Sequence, residues 1–173
     1  MSLQIRKDII RLIKSKYIKN IAIVMHNNPD GDCIGSASAL EEALKRNGKK
    51  VDIIMQTKIA KKFAPIIGQH RVDKFIIPYE EKRYDLTFVL DVADFNRTYY
   101  DIKYKSNKIV IIDHHLNENI PKVDYYLNEN DASTGITVLL IYKPLYLLMR
   151  HFHLDNNRLL RQSYYYIMLI YRL

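Results

Sequence analysis

Carboxylate and imidazole side chains follow three aliphatic runs of the sequence, at the points where buried strands would end. The residues are His26, Asp30 and Asp32 after residues 21–25, Asp91 after residues 86–90, and Asp113, His114 and His115 after residues 108–112. Such donors, without clustered thiolates, suit divalent ions such as Mn²⁺, Mg²⁺, Co²⁺ and Zn²⁺. Several acids in one pocket are costly unless a cation neutralises them, so the crowding predicts a metal site.

The predicted chemistry of such a site is phosphoester hydrolysis. Two divalent ions about 3.5 to 4 Å apart can activate a water and stabilise the oxygens of a displacement at phosphorus. A metal-free interpretation stays open for each segment taken alone, because Asp30 could cap the following helix and Gly31 could serve a tight turn. Asp91 alone could be an acid that simply follows a strand. The presence of all three segments in one chain favours the metal site.

Alternating apolar segments predict the elements that position these residues. Helices are predicted at residues 3–17, 36–47, 58–67 and 133–142, and strands at residues 21–25, 51–55, 74–77, 86–90 and 108–112. Short apolar strands that alternate with helices indicate an α/β fold, with a mostly parallel sheet and helices on both faces. Ligands of such sheets bind at the carboxyl ends of the strands, so the three polar segments should converge on one edge.

Length and composition limit the class of protein. The chain has 173 residues and 48% hydrophobic residues, which is typical of one globular domain. A formal net charge of +8 favours an anionic partner, although a solvated lysine-rich surface explains it equally well. Cys33 is the only cysteine, which excludes an internal disulfide and a thiolate metal cluster. No signal peptide or membrane span of roughly 18 to 20 apolar residues is recognisable, so we expect a soluble, cytoplasmic protein.

Three motifs resemble those of a known family. "HNNPDGDCIGSASAL", "VLDVAD" and "IIDHH", in this order, are similar to the first three motifs of the DHH phosphoesterases. "ASTG" at residues 132–135 resembles the small-residue segment of the branch that contains oligoribonucleases and phosphoadenosine-phosphate phosphatases. The resemblance covers roughly residues 5–142. It implies a Rossmann-like amino-terminal domain that holds two Mn²⁺ ions at the ends of its parallel strands, with Mg²⁺ or Co²⁺ as alternatives.

The resemblance implies a ligand set. His26 and Asp30 would bind one ion and Asp32 the other, Asp91 would bridge the pair, and His114 would complete the set.

The same resemblance implies roles near the reacting phosphate. Asp113 would orient a histidine, a role that decides which ring nitrogen faces a metal. His115 would sit near the scissile phosphate, where it could stabilise charge or assist proton transfer. Asp94 matches a commonly acidic position whose role stays open. Without a metal, Asp113 could cap a turn and His115 could be a loop histidine with its own partner.

The family pattern is not complete in this sequence. A fourth motif, with an Asp in a Thr-Asp-Thr-Gly-like turn, is not recognisable within residues 1–173, and we expect the carboxy-terminal substrate-binding domain to be absent. Ile136 stands where the branch commonly has an acid. We therefore expect residues 1–173 to form a single DHH-type domain that is incomplete at its carboxy-terminal end, with residues 143–173 as an atypical helical tail.

The resemblance implies a manganese-dependent phosphoesterase that hydrolyses short oligonucleotides, as an exonuclease or oligoribonuclease, or nucleotide 3′-phosphates. Its partners would be a short RNA or DNA oligonucleotide or a nucleotide, without a membrane, and a homodimer stays open. One alternative is a truncated, inactive metal-binding remnant that serves as an interaction module. Another is an enzyme that cleaves cyclic dinucleotides, and a pyrophosphatase is disfavoured by the residues between the acids of the first motif.

Overall fold

In the computed structural model, α-helices and strands alternate over the first part of the chain, residues 2–54. The structure describes residues 2–54, 59–63, 82–92, 94–98, 105–116, 121–128, 133–135, 137, 138 and 141. The named elements are α1 (Ser2–Lys14), β1 (Asn20–Met25), α2 (Gly31–Arg46), β2 (Lys50–Ile54), β3 (Leu86–Leu90), β4 (Ile109–Asp113) and β5 (Tyr125–Asn128). The described residues also contain two 3₁₀ turns, Lys61–Phe63 and Phe95–Arg97.

The five strands form one sheet in which every pairing is parallel, with the order β2-β1-β3-β4-β5. This confirms the predicted α/β fold. The chain leaves β1 toward β2 on one side and returns as β3 on the other, so the strand order reverses beside β1. Crevices at such a reversal, outside the carboxyl ends of the strands, are where ligands of these sheets bind.

The register brings the three polar segments to one level. Met25 pairs with Leu90, and Leu90 pairs with Ile112. The next residue along the chain is therefore His26 after Met25, Asp91 after Leu90 and Asp113 after Ile112. Because all three strands run in the same direction, the side chains that follow them leave the sheet at a single edge.

Both faces of the sheet carry a hydrophobic cluster. Ile9 and Ile13 of α1 and Leu40 of α2 pack with Ile23 and Phe88 on one face. The opposite face of the same strands holds a smaller cluster of Ala22, Val24, Val89, Ile111 and Tyr84. The strands are apolar on both sides, as expected for a parallel sheet that is covered on both faces.

The helix that follows the first motif begins earlier than predicted. It starts at Gly31, not at residue 36, because Asp30 adopts an extended conformation and its Oδ1 accepts a hydrogen bond from the Cys33 N–H at 3.0 Å. This is the N-cap of the metal-free interpretation, whereas Gly31 itself is helical and forms no separate turn. The left-handed residue of the loop is Asn28, with φ of 55°. Gly48, with φ of 73°, follows the helix end as predicted.

Other boundaries differ by a few residues. Helix α1 ends at Lys14, not at residue 17, and β2 and β4 are each shifted by one residue from the predicted ranges. Strand β5 is a strand that the prediction missed, because four half-polar residues, "YYLN", carry little periodic signal. Of the helix predicted at 58–67, the described part contains only the 3₁₀ turn Lys61–Phe63.

Several predictions lie wholly or partly outside the described residues. The strand at 74–77 and the tail at 143–173 fall on residues that the structure does not describe. Within the predicted helix 133–142, residues 134, 135, 137, 138 and 141 are helical. In the portion of the chain with described coordinates, no helix is both long enough and apolar enough to cross a bilayer.

Candidate metal centre

His26 is the first polar residue after β1, and its ring is held from two sides. Its Nδ1–H donates to the Asn27 carbonyl oxygen at 2.8 Å, and its Nε2 lies 3.8 Å from Oδ2 of Asp91. The Asn27 N–H donates to the Arg97 carbonyl oxygen at 2.7 Å, which fixes the turn that carries the ring. The interaction with Asp91 raises the pKa of His26, and burial opposes this effect.

Asp91 occupies the corresponding place after β3. It is 2% exposed and adopts a left-handed conformation with φ of 63°, which is uncommon for a residue with a side chain. Its N–H donates to the Ile112 carbonyl oxygen at 2.9 Å, and its Oδ1 accepts the Thr134 hydroxyl at 3.0 Å. A buried carboxylate therefore stands at the end of β3, beside His26 and His114.

In the segment at the end of β4, one carboxylate holds two histidines. Asp113 has no exposed surface, and its Oδ1 accepts the His114 N–H at 2.9 Å and the His115 N–H at 3.3 Å. The same oxygen accepts Nδ1–H of His115 at 2.7 Å. Asp113 thus fixes the turn and also sets the orientation and tautomer of His115. Asn128 of β5 supports the turn by donating to the His115 carbonyl oxygen at 2.7 Å.

Asp32 lies in the first turn of α2 and is held by a distant part of the chain. Its Oδ2 accepts the Thr134 N–H and its Oδ1 the Gly135 N–H, each at 2.9 Å. The Ser36 hydroxyl donates to Oδ1 at 3.3 Å. Nε2 of His114 lies 3.9 Å from Oδ2. These contacts fix the plane of the Asp32 carboxylate beside the histidine pair.

The donors gather in two groups of three that share Asp91. The inner group is His26, Cys33 and Asp91, and the outer group is Asp91, His114 and His115; in each, one donor atom per residue lies within 4.8 Å of the others. Every member of the inner group is buried, whereas the side chain of His114 is 25% exposed and that of His115 is 48% exposed. The site therefore has a closed side and an open side.

The spacing of these donors fits a divalent ion. Oδ1 of Asp91 lies 3.3 Å from Nε2 of His114, and its Oδ2 lies 3.8 Å from Nε2 of His26. With metal–ligand bonds of about 2.0 to 2.2 Å, two ligands of one ion stand roughly 3 to 4 Å apart. Neutral imidazoles around a carboxylate are also the chemistry that Mn²⁺, Co²⁺ or Zn²⁺ accepts.

Cys33 is the member of the inner group that the sequence did not point to as a donor. Its thiol donates to the Leu90 carbonyl oxygen at 3.6 Å. Burial is the main cause that raises the pKa of the Cys33 thiol well above its ordinary value. A protonated, buried thiol packs as a small apolar group, so Cys33 forms part of the floor beneath His26 and Asp91.

The structure places most of the predicted site residues together, with two exceptions. His26, Asp32, Asp91, His114 and His115 are linked by the ion-pair distances above. Asp30 is exposed at the N-cap of α2 and belongs to neither donor group of the described residues, so its role as a ligand stays a prediction. Asp94 is also exposed and caps the turn Phe95–Arg97 through the Asn96 N–H at 2.9 Å.

Comparisons with known proteins agree with the observed fold. A family model described as the DHH family, N-terminal domain, matches residues 20–170. A crystal structure of an exopolyphosphatase-related protein from Bacteroides fragilis is 19% identical, with a TM-score of 0.68, over 96% of this chain and 56% of that one. The exonuclease RecJ bound to manganese is 11% identical, with a TM-score of 0.52, over 90% of this chain and 39% of that one. No curated protein matches the chain.

At these identities the two solved structures show a shared fold and nothing finer. The chain spans 56% and 39% of their lengths, so each contains a large region to which this sequence does not correspond.

Proposed function

The chain belongs to the DHH family, and from this premise we propose that it is a manganese-dependent phosphoesterase of short nucleic acids. The single observation that carries the proposal is Asp91, a buried carboxylate that stands between three imidazoles at the edge of the sheet. A buried acid at such a place is costly unless a cation accompanies it. Motif and geometry thus support the same chemistry independently.

We assign as metal ligands the residues that the family resemblance implies; Asp30 caps α2, and the others lie close together at this edge. They are His26, Asp30, Asp32, Asp91 and His114, and Asp91 would be shared between two ions. Divalent ions held there would lower the pKa of a bound water and offset the charge of the phosphoryl oxygens. The protein's own contribution is to hold the ligands in place: the Asn27 carbonyl keeps Nε2 of His26 turned toward Asp91, and backbone N–H groups fix Asp32.

His115 is the residue that we assign to proton transfer. Its Nδ1–H is committed to Asp113 at 2.7 Å, so its Nε2 is the ring nitrogen that would exchange a proton near the scissile bond. The side chain is half exposed, which suits a group that meets substrate. The hydrogen bond to Asp113 prevents this ring from turning.

The proposed substrates are short RNA or DNA oligonucleotides and nucleotide 3′-phosphates, as for the oligoribonuclease and phosphoadenosine-phosphate phosphatase branch. Support comes from the "ASTG" segment, whose Thr134 and Gly135 contact the site, and from the formal charge of +8. A polyanion approaching the exposed side of the site would be drawn by this charge. The competing substrate is polyphosphate, because one solved structure of this fold is named an exopolyphosphatase-related protein.

The experiment is a substrate panel with added Mn²⁺. The purified chain is incubated with a labelled dinucleotide, a nucleoside 3′,5′-bisphosphate, a cyclic dinucleotide and polyphosphate, with and without a chelator. We expect chelator-sensitive release of a mononucleotide or of phosphate from the first two. The Asp30/Asp32→Ala double variant should show none, whereas Asp85→Ala, a carboxylate that holds Lys19 and Asn20 at the opposite edge of the sheet, should retain activity.

Turnover of polyphosphate or of the cyclic dinucleotide alone would overturn the proposed substrate class. Mn²⁺ binding by calorimetry without any hydrolysis would overturn the enzyme assignment and favour a metal-binding interaction module.

A further inference from the structure

Thr134 touches both carboxylates that stand at the centre of the site. Its side-chain hydroxyl donates to Oδ1 of Asp91 at 3.0 Å, and its backbone N–H donates to Oδ2 of Asp32 at 2.9 Å. The residue has no exposed surface. These two hydrogen bonds link the end of β3 to the first turn of α2 through one buried residue that is far from both in sequence.

The side-chain hydroxyl of Thr134 donates to Asp91, whereas its backbone N–H donates to Asp32. Asp32 is held by two backbone N–H groups, those of Thr134 and Gly135, and these do not depend on the side chain. For Asp91, the Thr134 hydroxyl is the side-chain hydrogen bond at 3.0 Å, whereas its imidazole neighbours lie at 3.3 to 3.8 Å. Removal of the hydroxyl therefore releases one carboxylate and leaves the other in place.

We propose that Thr134 is a positioning residue that sets the rotation of the Asp91 carboxylate and thereby the affinity of the site for its metal. The proposal rests on the proposed function in one respect, namely that Asp91 binds a divalent ion. Because Oδ1 faces His114 and His115 while Oδ2 faces His26, a rotation of the carboxylate changes both halves of the site together. The hydroxyl hydrogen bond selects the orientation in which each oxygen faces its own imidazoles.

The magnitude follows from comparable sites. Residues that orient a metal ligand through a hydrogen bond typically contribute about 10- to 100-fold to metal affinity. The left-handed backbone of Asp91 fixes where its side chain starts but leaves the carboxylate plane free to turn. We expect removal of the hydroxyl to weaken Mn²⁺ binding by a factor in this range. This loss of affinity should exceed what any change in the stability of the metal-free fold explains.

The test compares four residues at position 134 by the presence of a hydroxyl group. Thr134→Ser keeps the oxygen, Thr134→Val keeps the shape without it, and Thr134→Ala differs from Ser by that one atom. Mn²⁺ affinity is measured by titration calorimetry, and thermal unfolding of the metal-free protein is recorded for each variant. We expect Mn²⁺ to bind about 10- to 100-fold more weakly to the Val and Ala variants than to the parent and the Ser variant.

The matched control is Thr87→Val. Thr87 is buried at the start of β3, and its hydroxyl is hydrogen-bonded to that of Ser106. The control removes a hydroxyl group from the strand that leads to Asp91, roughly 13 Å from that residue at about 3.3 Å per residue, and should bind Mn²⁺ like the parent.

The outcomes separate the inference from the proposed function. Affinity that follows the hydroxyl, with Thr and Ser together against Val and Ala, supports the positioning role. Affinity that is equal in all four, or that follows side-chain volume or melting temperature, overturns it while the proposed function stands. Should the Val variant fail to fold, the Ser and Ala pair gives the same decision, because both are smaller than Thr. A parent chain that binds no Mn²⁺ would overturn the proposed function itself.

Discussion

The inner and outer donor groups share Asp91 but differ in how the protein surrounds them. The inner group is enclosed by β1, β3 and the start of α2, and its histidine is tied to the backbone of its own loop. The outer group opens to solvent through His114 and His115, which depend on one buried carboxylate, Asp113, for their position. The first arrangement is rigid and desolvated, whereas the second is accessible.

This difference indicates that the two groups have different roles. A buried donor set binds a cation tightly because water cannot compete for the ligands, and it has no surface to offer a substrate. An exposed set can meet a phosphate but needs support to keep its geometry. The predictions below test whether the two groups act as one centre through Asp91 or as separate parts.

The largest effect is expected for the shared residue. Asp91→Asn removes the charge from both groups, and Asn tolerates the left-handed conformation that this position requires. We expect Mn²⁺ affinity and hydrolysis each to fall by at least about 100-fold, beyond the range for residues that only orient a ligand. Calorimetry and the dinucleotide assay measure the two quantities.

Asp94→Asn is the matched control, because Asp94 is an exposed acid of the same loop. If Asp91→Asn weakens the binding of only one of two Mn²⁺ ions, the prediction that Asp91 is a ligand of both is wrong.

The second prediction separates two adjacent histidines. His115→Gln should lower kcat by about 100-fold or more with little change in Mn²⁺ affinity, because this ring is the more exposed and is assigned to proton transfer. His114→Gln should weaken Mn²⁺ binding, because Nε2 of His114 lies 3.3 Å from Asp91 and 3.9 Å from Asp32. Steady-state kinetics with calorimetry would decide. Equal loss of metal affinity in both variants would make His115 a ligand as well.

The third prediction concerns the support of the open side. Asp113→Asn replaces a buried acceptor of three hydrogen bonds by an amide, which should cost about 1 to 3 kcal/mol in the free energy of unfolding. Hydrolysis should fall by about 10- to 100-fold, because a neutral amide oxygen holds His115 more weakly than a carboxylate does. Denaturant unfolding and the dinucleotide assay measure both.

Asp124→Asn is the control for this change. Asp124 accepts the Ile109 N–H and pairs with Lys108 at the start of β4, so its loss should reduce stability without a comparable loss of activity. Similar activity losses in both variants would indicate that the effect of Asp113 is only structural.

The convergence of three segments could be predicted because it follows from local patterns. Each polar segment follows an apolar run, and parallel strands place their ends at the same edge. The register of Met25, Leu90 and Ile112 then aligns His26, Asp91 and Asp113 without further information. The α/β fold followed from the same alternation of apolar runs and helical segments.

The contacts that hold the donors could not be predicted, because they join residues far apart in the chain. Thr134 and Asp32 are separated by 102 positions, and no periodicity marks either as a partner of the other. Cys33 faces the site only because α2 begins at Gly31 and turns the thiol toward Leu90. Strand β5, which ends at Asn128, consists of half-polar residues, and its pairing depends on β4 being present first.

The smallest effect concerns the pH dependence of the inner group. The interaction with Asp91 raises the pKa of His26 in the metal-free fold, so its protonated form is favoured by folding. The corresponding stability is fully present below the unfolded pKa of about 6.5 and is lost as the pH rises through the folded pKa. The metal-free parent should therefore exceed His26→Gln in melting temperature more at about pH 6 than at about pH 8.5, by at most about 4 °C. Mn²⁺ should reverse this trend, because it binds the neutral imidazole and its stabilisation grows with pH. Thermal unfolding measures the difference in melting temperature between the parent and His26→Gln. This difference should decrease with pH without Mn²⁺ and increase with pH in its presence. Parallel slopes would mean that His26 stays outside the metal site and that the inner group serves the fold alone.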